Sequence, residues 1–237
     1  MNSNRKTAII VGVLFLTSTV AFMLGSIRIQ SCFIDKHPNI NQLIIGVLLE
    51  VYCGVAVAGI GVIMFPILKK FNERLALGYV IFRIIECAII IVSGIYLLSL
   101  LKLIQDYDLM IYLFTGIGGL IFSYLLYQSK LIPRFISVLG LIGYALLLTG
   151  TLLDMLGHVD LDGAGMIVLL PGGLFEIILP IWLIVKGFNS SPIASPSEKT
   201  DMIDEKSIDL KLCTHNLLFH APQIFPHMHL SYKYTSR

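Results

Sequence analysis

The sequence predicts an all-α protein: a multi-pass transmembrane bundle of six helices followed by a flexible cytoplasmic C-terminal tail. Three observations predict it. Of the 237 residues, 56% are hydrophobic and only 14% are charged, against about 25% charged in an ordinary soluble domain. Six apolar runs approach the roughly 20 residues that a helix needs to cross a hydrocarbon core about 30 Å thick. Lys and Arg residues gather at the ends of those runs instead of forming a patch.

The spans are expected near 8–27, 43–65, 75–101, 109–127, 135–153 and 164–185. Helix is required because unpaired backbone groups in lipid cost several kcal/mol each, and runs this long do not alternate as barrel strands do. The first run, Ala8–Ile27, is long and lacks a clear small-residue cleavage site, which argues for a retained helix over a signal peptide. Pro66 and Pro133 sit at span boundaries, where a helix ends or begins. Gly116, Gly118, Gly119, Gly140 and Gly143 offer small surfaces for close helix contact. In the sixth run Pro171, Gly172 and Gly173 precede Glu176 and invite a kink or a short unwinding. Trp182 and Lys186 suit a membrane interface, as ring anchor and snorkelling cation.

The loops set an orientation. Eight flanking basic residues (Arg5, Lys6, Lys69, Lys70, Arg74, Lys130, Arg134 and Lys186) fall on one side, and three (Arg28, Lys36 and Lys102) on the other. The positive-inside rule then puts both termini in the cytoplasm. The expected location is the cell (inner) membrane, and the expected partner is the lipid bilayer. The formal net charge of +2 is no nucleic-acid footprint. The chain divides into a six-helix transmembrane domain over 1–189 and a polar, disordered tail over 190–237, where Ser, Pro and charged residues replace the apolar runs. The tail's His215, His220, His227, His229 and Cys213 fit no ligand spacing. Cys32, Cys53 and Cys87 form no CxxC, so no disulfide framework is expected.

Four ionisable residues lie well inside the spans: Glu50, Arg83, Glu86 and Glu176. A charge at mid-membrane costs from about 2.5 to more than 10 kcal/mol, so such groups turn to the bundle interior and find partners. At about 1.5 Å rise per residue, Arg83 lies about 12 Å and Glu86 about 16 Å into the third span, Glu176 about 15 Å into the sixth, and Glu50 about 24 Å above Pro66. The expectation is that Arg83 pairs with Glu176 and joins the third helix to the sixth, with Glu86 as the alternative partner. Glu50 or Glu86 would then be protonated, hydrated or bound to a cation. Tyr52, Tyr79 and Tyr96 are candidate hydroxyl donors nearby. Two readings stay open for the cluster: a buried polar lock that sets helix register, or a binding or proton-relay site.

A faint echo links "FPILKKFNERLALGYVIF" with "QSKLIPRFISVLGLIGYALL". Each is a basic loop followed by a Gly-Tyr pair, Gly78–Tyr79 and Gly143–Tyr144. The motifs "AIIVGVLFLTSTVAFMLG", "LLEVYCGVAVAGIGVIMFPILKKFNERLALGYVIFRIIE", "YLLYQSKLIPRFISVLGLIGY" and "LPGGLFEIILPIWLIVKGF" resemble, in order, the bacterial membrane proteins grouped as domain-of-unknown-function family 4386. The resemblance covers about residues 5–189. It implies a six-helix integral protein of a bacterial inner membrane and carries no activity with it.

No HExxH, GxSxG or phosphate-cradling glycine loop occurs, so an enzyme is the least supported class, and no cofactor or metal is implied. The acidic loop with Asp154, His158, Asp160 and Asp162 lacks the EF-hand pattern. The two remaining classes are a structural or regulatory membrane protein and a small-solute or ion/proton-coupled transporter. Any small-molecule ligand is unknown from sequence. Six helices are few for a permease acting alone, so a homo-oligomer is one of the arrangements the sequence allows.

Overall fold

Apolar runs with caps at their ends become the helices of the chain. The computed structural model describes residues 3–34, 39–100, 107–159, 161 and 164–189. Among them are six α-helices, α1 (Ser3–Ile34), α2 (Ile40–Leu68), α3 (Glu73–Leu100), α4 (Tyr107–Ser129), α5 (Arg134–Met155) and α6 (Leu170–Val185). All six candidate spans are long and apolar enough to cross a membrane. The predicted tail over 190–237 lies outside the described residues.

The helices overrun the apolar runs because polar residues cap them. Asn39 accepts from the amide of Asn41 at 3.1 Å and opens α2. Asn72 accepts from the amide of Leu75 at 3.1 Å and opens α3. Pro133 stands just before α5, where its missing N–H is no loss. Pro66 corrects the sequence reading: α2 runs through it to Leu68. Pro66 falls in the last turn, where one absent hydrogen bond is tolerated. The sixth span also departs from expectation. A 3₁₀ helix over Ala164–Leu169 precedes α6, and Pro171 sits in α6's first turn. The Pro171–Gly172–Gly173 step therefore starts the helix and does not kink it.

Each helix packs on its neighbour in sequence, and α6 returns to pack on α1, so the six close a ring. Glycines set the close crossings. A Cβ on Gly143 would meet the amide nitrogen of Gly172 at 2.5 Å, so α5 and α6 touch backbone to backbone. On α1 and α2, Gly25 and Gly46 face each other in the same way: a Cβ on either would come within about 3 Å of the other's carbonyl oxygen.

One end of the ring is knit tightly. Arg5 of α1 donates from Nη2 to the carbonyls of Ile184 and Val185, both at 2.8 Å, at the C-terminus of α6. These carbonyls have no helical donor and carry the negative end of the helix dipole, so a guanidinium suits them. Gly187, at φ +78°, supplies the left-handed turn that ends α6. Asn189 then donates its amide to the carbonyl of Leu131 at 2.8 Å and its side chain to that of Lys130 at 3.0 Å. A continuous apolar core fills this end and reaches Phe15, Tyr79, Tyr144 and Phe175. Toward the opposite end the buried apolar residues fall into two small clusters, around Ile29 and Val47 and around Ile90 and Ile111.

Candidate functional site

Where the tight core stops, a cavity begins. It has a volume of about 470 Å³ and takes lining residues from every one of the six helices. Tyr79, Phe15 and Ile60 belong both to the cavity wall and to the tight core, and so mark its floor. From there the wall extends toward the other end through Cys53, Phe22, Ile90, Thr115, Leu147 and Leu170. The wall is mostly apolar, and its ionisable groups are Arg83, Glu86 and Glu176.

Arg83 and Glu86 come from consecutive turns of α3. Their spacing of three places both on one helix face, and Arg83 Nη1 donates to Glu86 Oε2 at 2.7 Å. This is the one ion pair among the described residues, and it corrects the expectation that Arg83 joins α3 to α6 through Glu176. The nearer carboxylate wins because it costs no rearrangement of helices: both groups already share one face. From the neighbouring helix, Thr115 of α4 donates to Glu86 Oε1 at 2.6 Å, so α3 is tied to α4 instead. The Arg83 guanidinium also lies over the ring of Tyr79, 5.4 Å from its centroid. Arg83 Nε and the Tyr79 hydroxyl are both buried, and neither has a hydrogen-bond partner among the described residues.

Glu176 is held by hydroxyls. Tyr144 of α5 donates to Oε1 at 3.2 Å, and Thr19 of α1 to Oε2 at 3.3 Å. The Tyr144 ring reaches this position by lying flat against Gly119, where any side chain would collide with it. The sequence leaves Glu50 or Glu86 as the carboxylate without a cation and Glu86 as the alternative partner of Arg83; Arg83 takes that alternative, and Glu176 has no Lys, Arg or His within ion-pair distance among the described residues.

Glu50 stands apart. It is 4% exposed and accepts from Ser26 of α1 at 3.0 Å. The missing side chain of Gly25 makes the room, since a Cβ there would lie 2.9 Å from Glu50 Cγ. Glu50 belongs to the α1–α2 contact and is absent from the cavity wall. The four ionisable residues thus divide into a wall group of three and one residue at a helix crossing. Of the candidate tyrosines, Tyr79 reaches the cavity, whereas Tyr52 and Tyr96 are exposed at 44% and 43%. Tyr52 meets Thr17 at 2.9 Å on the outer surface of the bundle.

Sequence reasoning missed Thr19, Thr115 and Tyr144 as site residues. The echo of two Gly-Tyr pairs was the available signal for Tyr144, because Tyr79 and Tyr144 are both fully buried and line the same cavity. The family model described as "Domain of unknown function (DUF4386)" matches residues 10–111 and 105–187. The chain belongs to this family. The DUF4386 match reaches all six spans, the first from residue 10 on, and takes in every residue of the site, Glu50 included. A search of curated proteins found no match, and a search of solved structures found none.

At the far end, Asp154 accepts from the amide of Leu161 at 2.9 Å and so closes the turn after α5. The His158 ring meets the carbonyl of Leu156 at 3.0 Å. Asp160 and Asp162 lie outside the described residues, as do Cys213 and the tail histidines.

Proposed function

We propose that this DUF4386 protein binds a small solute in the cavity ringed by its six helices. The observation that supports this reading is the cavity itself. Its 470 Å³ falls within the range of about 300–1,000 Å³ typical of small-molecule sites, and three intramembrane ionisable residues face it. A lock that served packing alone would close its charges against one another and leave no such space. The binding reading is therefore preferred to a purely structural or regulatory role.

The basic residues gather at the end closed by Arg5, Lys130 and Asn189. By the positive-inside rule that end is cytoplasmic, in a bacterial inner membrane. The cavity then lies toward the outer face, with the apolar core below it as the barrier. Passage of the solute, coupled to the carboxylates, is the second reading; the closed core beneath a cavity is what a transporter facing outward requires. The membrane domain would end near residue 189, where composition turns polar.

Thiol accessibility tests the binding reading. In a background with Cys32, Cys53, Cys87 and Cys213 changed to Ser, Val57→Cys places a thiol on the cavity wall. Val55→Cys places one on the outer surface of the same helix, where Val55 is 56% exposed. A membrane-impermeant methanethiosulfonate applied from outside should label position 57 and spare position 55. Equal labelling of both, or of neither, would remove the support for a hydrated site.

A further inference from the structure

The charge balance of the cavity points to the chemistry of its ligand. Arg83 and Glu86 answer each other at 2.7 Å. Among the described residues Glu176 is hydrogen-bonded by the hydroxyls of Tyr144 and Thr19, at 3.2 and 3.3 Å, and feels the Arg83 guanidinium only from beyond ion-pair distance. Thr19 has a single hydroxyl proton, and the carbonyl of Phe15 competes for it at 3.1 Å. Among the described residues no Lys, Arg or His nitrogen lies within 4.0 Å of Glu176. With all three groups ionised, the wall therefore holds one negative charge in excess. In an apolar setting such a charge is relieved either by a proton or by a positive partner, and the cavity beside Glu176 has room for the partner.

The wall narrows the kind of partner. A hard inorganic cation wants six or more oxygen ligands, and around Glu176 only two hydroxyls accompany the carboxylate. An organic cation wants one carboxylate and aromatic surroundings. Phe15, Phe22, Tyr112 and Tyr144 line the same cavity, whereas the Tyr79 ring is already taken by Arg83 and Phe122.

We infer that the cavity takes a monovalent lipophilic organic cation, with its charged centre beside Glu176 and its apolar body against the aromatic wall. The inference rests on the solute-binding reading and specifies its ligand class. Charge and shape separate cleanly in one pair of probes. Tetraphenylphosphonium and tetraphenylborate have nearly the same size and surface and opposite charge.

The full chain, purified and placed in lipid nanodiscs, should bind radiolabelled tetraphenylphosphonium saturably and tetraphenylborate not at all. Glu176→Gln should weaken phosphonium binding about tenfold or more, as loss of a desolvated charge partner does. Glu176→Asp, which keeps the charge, should retain most of it; if Glu176→Gln does not fold, the discrimination between phosphonium and borate by the native chain is the test. The inference is overturned if the borate binds as well as the phosphonium, if Glu176→Gln binds the phosphonium undiminished, or if neither ion binds saturably. If neither binds while Val57→Cys still reacts with the impermeant thiol reagent, the ligand class falls and the solute-binding reading stands.

Discussion

Arg83 and Glu86 form an ion pair of 2.7 Å within one helix, and both side chains are almost wholly buried, at 3% and 5% exposure. Removing one member of a buried pair leaves the other uncompensated, at a cost of about 3–5 kcal/mol. Arg83→Ala should therefore lower the detergent melting temperature sharply. Adding Glu86→Gln to it should recover more of the loss than adding Glu176→Gln, because Glu86 is the carboxylate left stranded. Melting of the four proteins, followed by size-exclusion chromatography after heating, decides the point. Greater recovery from Glu176→Gln would mean that the guanidinium serves α6 after all.

Thr115 supplies the second partner of Glu86, from a different helix, at 2.6 Å. Thr115→Val keeps the shape and removes the proton, at a cost of about 1–3 kcal/mol for the poorly satisfied acceptor. Thr115→Ser keeps the hydroxyl and should fall well short of that loss. Comparing the two by thermal unfolding separates the hydrogen bond from the packing of the methyl group.

The clamp of Arg5 on α6 makes its own prediction. Arg5→Ala frees the carbonyls of Ile184 and Val185 and removes a cation from a helix C-terminus, worth about 1–2 kcal/mol. Arg5→Lys keeps the charge without the planar fork that reaches two carbonyls at once, so its stability should fall between the alanine variant and the native chain. A stability equal to native in Arg5→Ala would show that the two helix ends hold together without it.

Glycine positions should respond according to what faces them. Gly143→Ala sets a methyl group 2.5 Å from the backbone nitrogen of Gly172, so α5 and α6 must separate and folded yield should drop steeply. Gly59→Ala meets nothing within 4 Å and should be neutral, or stabilising by up to about 1 kcal/mol through helix propensity. Fluorescence-detected chromatography of the two variants reads the contrast directly.

Much of the fold was legible because the bilayer imposes length and polarity on each span. Every predicted span coincides with a helix or, for the sixth, with a 3₁₀ segment followed by a helix; the third span's last residue, 101, lies outside the described residues. Boundaries were missed where a polar cap extends a helix beyond its apolar run, as Asn39 and Asn72 do for α2 and α3. The sixth span was misjudged because Pro171 reads equally well as a kink and as a helix start, and only the neighbouring Gly143 decides between them. The site was partly legible. Depth along each helix put Arg83, Glu86 and Glu176 near one level, and they do share one cavity. Depth says nothing about rotation around a helix axis, however, and rotation decides which carboxylate a guanidinium meets. For the same reason Glu50 passed for a member of the group, whereas it faces α1. Thr19 and Thr115 escaped notice because a hydroxyl inside a span usually returns its proton to its own helix, as Thr17, Thr149 and Thr151 do here.

Pro180 has no amide proton, so the carbonyl of Glu176 lacks the donor four residues on that a helix would otherwise provide. The joint between the carboxylate's turn and the next thus lacks one helical hydrogen bond, although its side chains pack into the core. Below it the helix is fastened by Arg5 and Asn189; above it the first turn leans on Gly143 and the cavity rim. A push on Glu176 from within the cavity would be absorbed as bending at that joint, leaving the fastened end undisturbed.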